Sequence, residues 1–224
     1  MKQEKKIQLY DLLIVLAVTI LPAIISGILI FIVGEGTYSQ GRTDASIFFA
    51  IVKETIGIFL LLYVLFNRDK TLKNLGVSIS WKDLLFGVAL FVTATIIYTI
   101  TYYITKAALP PALKGEIIAK NVSNITKQFS WCFLAFVIIN PFFEELIVRG
   151  FTITQVFSLT NSKVLTIIIS VVLQCSYHIY QGVVPMIMMS GVFFLFSVFY
   201  IKTGRLTPIL IAHLIFDLLI LTKI

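Results

Sequence analysis

The chain has 224 residues, 58% of them hydrophobic and only 13% charged, with a net charge of +7. A soluble domain is about half apolar and about a quarter charged, so a water-soluble globular fold is excluded, and apolar runs that do not alternate exclude a β-barrel. The positive charges sit at the ends of apolar runs, which reads as membrane topology and not as a nucleic-acid surface.

In chain order, MKQEKK precedes an apolar run from Leu12 to Val33. That run is too long for a cleaved signal core and lacks a small-residue cleavage site, so a retained first span near 11–33 is expected. Further runs long enough to cross a hydrocarbon core of about 30 Å lie near 45–66, 83–104, 129–157, 163–180, 184–202 and 206–222. The expected fold is therefore an all-α polytopic membrane protein, a single bundle of about seven transmembrane helices with a polar site inside it. The whole chain, 1–224, forms one membrane domain: residues 1–128 supply N-terminal helices and a connecting loop, and 129–222 supply the helices that carry the chemistry. The fourth span is long enough to protrude from the bilayer.

Lys2, Lys5 and Lys6 flank the first span, Arg68, Lys70, Lys73 and Lys82 lie between spans two and three, and Lys163, Lys202 and Arg205 mark later turns. The positive-inside bias then places the N-terminus in the cytoplasm. The segment 105–128 breaks the pattern with Lys106, Lys114, Lys120 and Lys127. It reads equally as an amphipathic helix on the membrane surface and as a solvated loop. Cys132 and Cys175 lie inside apolar runs and read as buried thiols. Asp11 reads as a solvated residue at a membrane edge. Lys53 and Glu54 interrupt span two, as structural contacts that fix helix rotation or as partners of Glu145 or Asp217. Tyr177 and Tyr180 read as interfacial anchors, with substrate contact as the alternative.

Ionisable residues inside spans mark function by default. In NPFFEELIVRG, Glu145 and Arg149 are spaced as a helical ion pair, whereas Glu144 points about 100° away and needs a partner from another helix. Asn140 precedes Glu144 by one turn on the same face, and Pro141 between them removes a backbone hydrogen bond and opens a polar place in the helix. The chain holds two histidines. His178 ends span five, and His213 shares a face of span seven with Asp217. Glu144 and His178 lie at similar distances, about 25 Å at roughly 1.5 Å per residue, from the turn near Thr160 and are level across an antiparallel pair. His213 falls nearer its own turn, which puts the site toward the cytoplasmic face if spans four and five extend beyond the bilayer. Glu144, His178, His213 and Asp217 are the candidate catalytic groups, and Glu145, Arg149 and Asn140 support them. Zinc on Glu144, His178, His213 and Asp217 is the alternative. The soluble zinc-protease motif His-Glu-x-x-His is absent, and a Glu acting as base is unavailable as a ligand, so no cofactor is favoured.

These residues resemble the CAAX prenyl endopeptidase and bacteriocin-processing (CPBP, Abi) membrane proteases. Glu144, Glu145 and Arg149 match the first motif, and Gln174 to His178 aligns with Phe-x-x-x-His. His213 to Asp217 matches His-x-x-x-Asn or Asp. The departure is Gln174 in place of Phe. The resemblance covers about 129–222 and implies peptide-bond hydrolysis inside a membrane. Glu144 and His178 would activate a water and His213 would serve the oxyanion. Asp217 would orient the water, and Arg149 would hold Glu145. The implied partner is a membrane-associated peptide or lipidated protein in the lipid bilayer of a bacterial cell, in peptide maturation or bacteriocin self-immunity. Two rivals stand beside it: a proton- or metal-ion-coupled transporter, which would more often show repeated halves, and a non-catalytic immunity or scaffold protein.

Overall fold

The computed structural model describes residues 2–33, 43–108 and 130–221, and all regular structure among them is helical. Helices α1 (Lys2–Thr19) and α2 (Leu21–Val33) form a pair bent by 41°. Pro22 has no N–H to continue the ladder, which accounts for the break at Ile20. Then come α3 (Asp44–Phe66), α4 (Trp81–Ala108) and α5 (Trp131–Thr160). Helices α6 (Lys163–His178), α7 (Val183–Thr203) and α8 (Thr207–Leu221) complete the bundle. Local chemistry sets several starts. Thr43, Ser130 and Ser162 are extended N-caps whose hydroxyls accept from the N–H groups of Ser46, Phe133 and Leu165.

Among the described residues five helices are long and apolar enough to cross a membrane, or six with the bent pair counted as one span. The count of seven expected from the sequence is reached only by adding α8, an apolar helix of 15 residues, shorter than the ~20 that a perpendicular span needs. The first span also differs from expectation, since its helix begins at Lys2, well before Asp11. The segment expected as a surface helix divides: 105–108 extend α4, and 109–128 lie outside the described residues, with the Asn121 and Asn124 sequons.

Helix α5 is the centre of the bundle. It continues through Pro141, and the departure from α geometry comes four residues later, as a π-helix over Glu145–Ile153. Hydroxyls reinforce the carbonyls of these wide turns. Thr152 donates to Ile147 O at 2.8 Å and Thr154 to Gly150 O at 2.6 Å. Ser170 donates to Val148 O at 3.4 Å. Every residue from Phe143 to Ile153 is buried. Leu146, Ile147, Val148 and Phe151 pack there with Leu61, Leu65, Phe196, Leu206 and Ile209. Without a hydrophobic drive between helices in lipid, close approach has to come from small residues. A Cβ on Gly57 of α3 would stand 2.7 Å from the Phe143 ring, and one on Gly87 of α4 would stand 2.6 Å from Ile211 of α8.

One end of the bundle is tied by polar contacts. Arg68 makes a two-pronged pair with Asp11 at 2.7 and 2.9 Å, so Asp11 is not the free solvated residue expected. Ser158 donates to Gln8. Leu206 N–H donates to Gly76 O, with Gly76 in the left-handed region at φ 77°. Arg205 forms an ion pair with the fully buried Asp83 at 2.8 Å, and Ser78 donates to the other oxygen of Asp83 at 3.0 Å. The start of α1 and the α3–α4, α5–α6 and α7–α8 turns therefore share that end.

Candidate active site

Glu144 and Glu145 occupy the junction between the α and π parts of α5. The change of winding sends two neighbouring carboxylates into two different hydrogen-bond networks. Glu144, 5% exposed, faces α6. Its Oε2 accepts from Gln174 Nε2 at 3.0 Å and from the Tyr177 hydroxyl at 2.9 Å. Its Oε1 accepts from Asn140 Nδ2 at 3.3 Å. His178 Nε2 stands 3.6 Å from Oε2. The His178 ring lies between aromatic neighbours, 4.7 Å from Tyr177 and 5.3 Å from Phe193 by ring centres, and its Nδ1 is 3.2 Å from Gln181 Nε2. Residues 174, 177 and 178 are spaced i, i+3, i+4, which places all three on one helical face.

Glu145, fully buried, accepts from Arg149 Nη1 at 3.1 Å and from His213 Nδ1 at 2.7 Å on the same oxygen, Oε1. The other nitrogen of His213 lies 3.7 Å from Asp217 Oδ1. Arg149 is fully buried, with its guanidinium 5.4 Å from the Phe193 ring centre and 5.8 Å from that of Phe196. The aromatic faces and the Glu145 carboxylate together offset the burial of that cation.

The structure thus brings all the sequence candidates into two adjoining sets: Glu144 with His178 and Asn140, and Glu145 with Arg149, His213 and Asp217. Sequence reasoning paired Glu145 with Arg149 on its own helix, and the structure adds His213. It expected Tyr177 at an interface, whereas Tyr177 is buried with its hydroxyl on Glu144. Gln174, the departure from the family pattern, is fully buried and donates to the same oxygen. Glu54 of α3 is buried too, and its Oε1 accepts from Asn140 Nδ2 at 3.2 Å, so it joins the Glu144 set and neither Glu145 nor Asp217. Lys53 faces outward. Cys132 and Cys175 are free thiols, half-buried where full burial was expected.

Among the described residues no three His, Cys, Asp or Glu side chains gather as a metal-ion site. Glu144 and Glu145 divide the two imidazoles between them, so the ligand set weighed from the sequence does not converge on one point. Arg149 Nε and Nη2, Glu145 Oε2 and Gln174 Oε1 are buried without a protein hydrogen-bond partner. Such atoms cost roughly 1–3 kcal/mol each if left dry.

Residues 126–219 match the family model described as Type II CAAX prenyl endopeptidase Rce1-like, a family of membrane proteases. No curated protein and no solved structure matches the chain.

Proposed function

Because residues 126–219 match the type II CAAX prenyl endopeptidase Rce1-like family model, we propose that the chain hydrolyses a peptide bond of a membrane-associated substrate with a water activated by Glu144. The observation that carries this reading is the placement of His178 Nε2 3.6 Å from the Glu144 carboxylate. His178 thereby stands beside the carboxylate, and a water held at the free position of Glu144 Oε1 is activated next to the imidazole. Glu144 takes a proton from that water as its oxygen bonds to the peptide carbonyl carbon. The tetrahedral intermediate then collapses, the C–N bond breaks, and the proton held by Glu144 passes to the leaving amine. His178 orients the water. His213 donates from Nδ1 to Glu145, and as an imidazolium it offers its Nε2–H to the developing oxyanion, with Asp217 beside it. Arg149 holds Glu145 and, through it, the His213 ring. The buried polar atoms around Arg149 and Gln174 favour a hydrated interior.

The substrate in this reading is a peptide or a lipidated protein already in the bilayer, and the reaction serves peptide maturation or bacteriocin self-immunity in a bacterial membrane. The shared end of the bundle carries Lys5, Lys6, Arg68, Lys70, Lys163, Lys202 and Arg205. That concentration supports a cytoplasmic N-terminus, with the site nearer that side.

The test is cleavage of an internally quenched peptide ending in a prenylated CAAX sequence by the purified chain. Glu144→Ala and Glu144→Gln are expected to lower kcat by at least about 10³-fold, the contribution typical of a positioned general base. Cleavage that persists in both variants overturns the assignment. An ion flux that depends on Glu144 would favour the carrier reading, and a function indifferent to Glu144→Ala would favour the scaffold.

A further inference from the structure

The family match begins at residue 126, after the N-terminal helices, yet one residue of those helices reaches the site. Glu54 is 5% exposed in the middle of α3, and 86 positions separate it from Asn140. Glu54 and Glu144 share one nitrogen: Asn140 Nδ2 donates to Glu54 Oε1 at 3.2 Å and to Glu144 Oε1 at 3.3 Å. We propose that Glu54 is a positioning residue of the hydrolytic site, which acts through Asn140 to fix the direction in which the Glu144 carboxylate presents its free acceptor position. The proposal rests on the reading of Glu144 as the base.

The argument is one of hydrogen-bond inventory. A side-chain amide has two N–H donors on nitrogen and an acceptor oxygen. Here both donors have carboxylate acceptors, one on α3 and one on α5. Turned over, the amide would set its oxygen against two carboxylate oxygens, acceptor against acceptor. Two acidic neighbours therefore hold the amide in one orientation, and one acidic neighbour alone holds it less firmly. What the orientation controls is visible at Glu144. Oε2 already accepts from Gln174 and Tyr177, which fills its two lone-pair positions. Oε1 accepts from Asn140 and keeps one position open. The open position is where a water is activated, and its direction is set by where the Asn140 N–H lies. Gly57, one turn beyond Glu54 on α3, lets that helix approach the Phe143 ring closely. Glu54 is thereby brought within reach of an amide on the neighbouring helix.

The experiment is a double-mutant cycle on the purified full chain, with two readouts. The first is kcat and KM on the internally quenched prenylated peptide. The second is the rate at which a lipophilic carbodiimide labels Glu144, followed by mass spectrometry, which needs no substrate. Glu54→Leu is expected to lower kcat about tenfold with KM within about twofold, as a misplaced base does. Glu54→Gln, whose amide oxygen accepts from Asn140 in the same place, retains activity within about threefold of wild type. In an Asn140→Ala background Glu54→Leu costs nothing further. The labelling rate at Glu144 changes about threefold or more in Glu54→Leu and does not change when Asn140 is already Ala. A purely structural Glu54 would lower the amount of folded protein without this dependence on Asn140. Equal losses in both backgrounds, or an unchanged kcat in Glu54→Leu, overturn the proposal. Should the wild-type chain leave the peptide intact, it is the peptidase reading that fails, and the labelling cycle alone decides on Glu54. Should Glu54→Leu fail to fold, Glu54→Ala carries the same comparison.

Discussion

Glu144 is held by side chains from two helices, and the hydroxyl of Tyr177 is the smallest unit that can be removed from it. A neutral donor to a charged acceptor is worth about 1.5–3 kcal/mol. Tyr177→Phe keeps the ring beside His178 and deletes only the 2.9 Å bond to Oε2. It is expected to lower kcat/KM on the prenylated peptide by roughly tenfold or more, and a variant as active as wild type would remove Tyr177 from the site. Much at this scale is legible in the sequence. Two histidines and a pair of adjacent glutamates in apolar runs have few places to go, and the i, i+4 spacings of Glu145 with Arg149 and of His213 with Asp217 predict their pairing. Gln174 and Tyr177 were also within reach, since they share a helical face with His178. Which imidazole serves which glutamate was not. That choice depends on helix rotation at the α–π junction, and apolar periodicity does not encode where a helix widens. The Glu54–Asn140 bond lies beyond any local pattern because its two ends are on different helices.

At the scale of elements, the fold depends on how closely α3, α4 and α8 approach their neighbours. Gly87→Ala would press a methyl group onto Ile211, two residues before His213. Overpacking of this kind costs about 1–3 kcal/mol. The variant is expected to melt earlier in detergent and to lose activity, because relief of the clash moves the helix that carries His213. An unchanged melting temperature would show that α4 and α8 are free to separate. The apolar runs predicted most helices within a few residues, since run length alone distinguishes a span from a loop. They do not reach what run length leaves open: the bend at Ile20 follows from the missing N–H of Pro22, and α8, at 15 residues, is shorter than a perpendicular span needs.

For the whole molecule, the polar end that gathers α1 and three turns contains two ion pairs of unequal weight. Arg205→Ala would leave Asp83, fully buried, with only the Ser78 hydroxyl. It is expected to cost about 1–3 kcal/mol of stability. Arg68→Ala removes a pair whose arginine side chain is 42% exposed and should cost less. Thermal unfolding of the two variants side by side checks the order, and equal losses would mean that burial of Asp83 does not set the difference. This end is what stops α7 and starts α8, so the placement of His213 depends on contacts far from it in the chain.

The adjacency of Glu144 and Glu145 has a mechanical consequence. A slip of α5 by a single residue, or a turn of about 100°, would carry one carboxylate to the other's partners, leave the second without its own, and pull Arg149 away from two phenyl rings. Helix α5 is thus a fixed axle, unable to make small adjustments. In the proposed reaction, whatever displacement admits a peptide and releases its fragments falls to the helices around that axle.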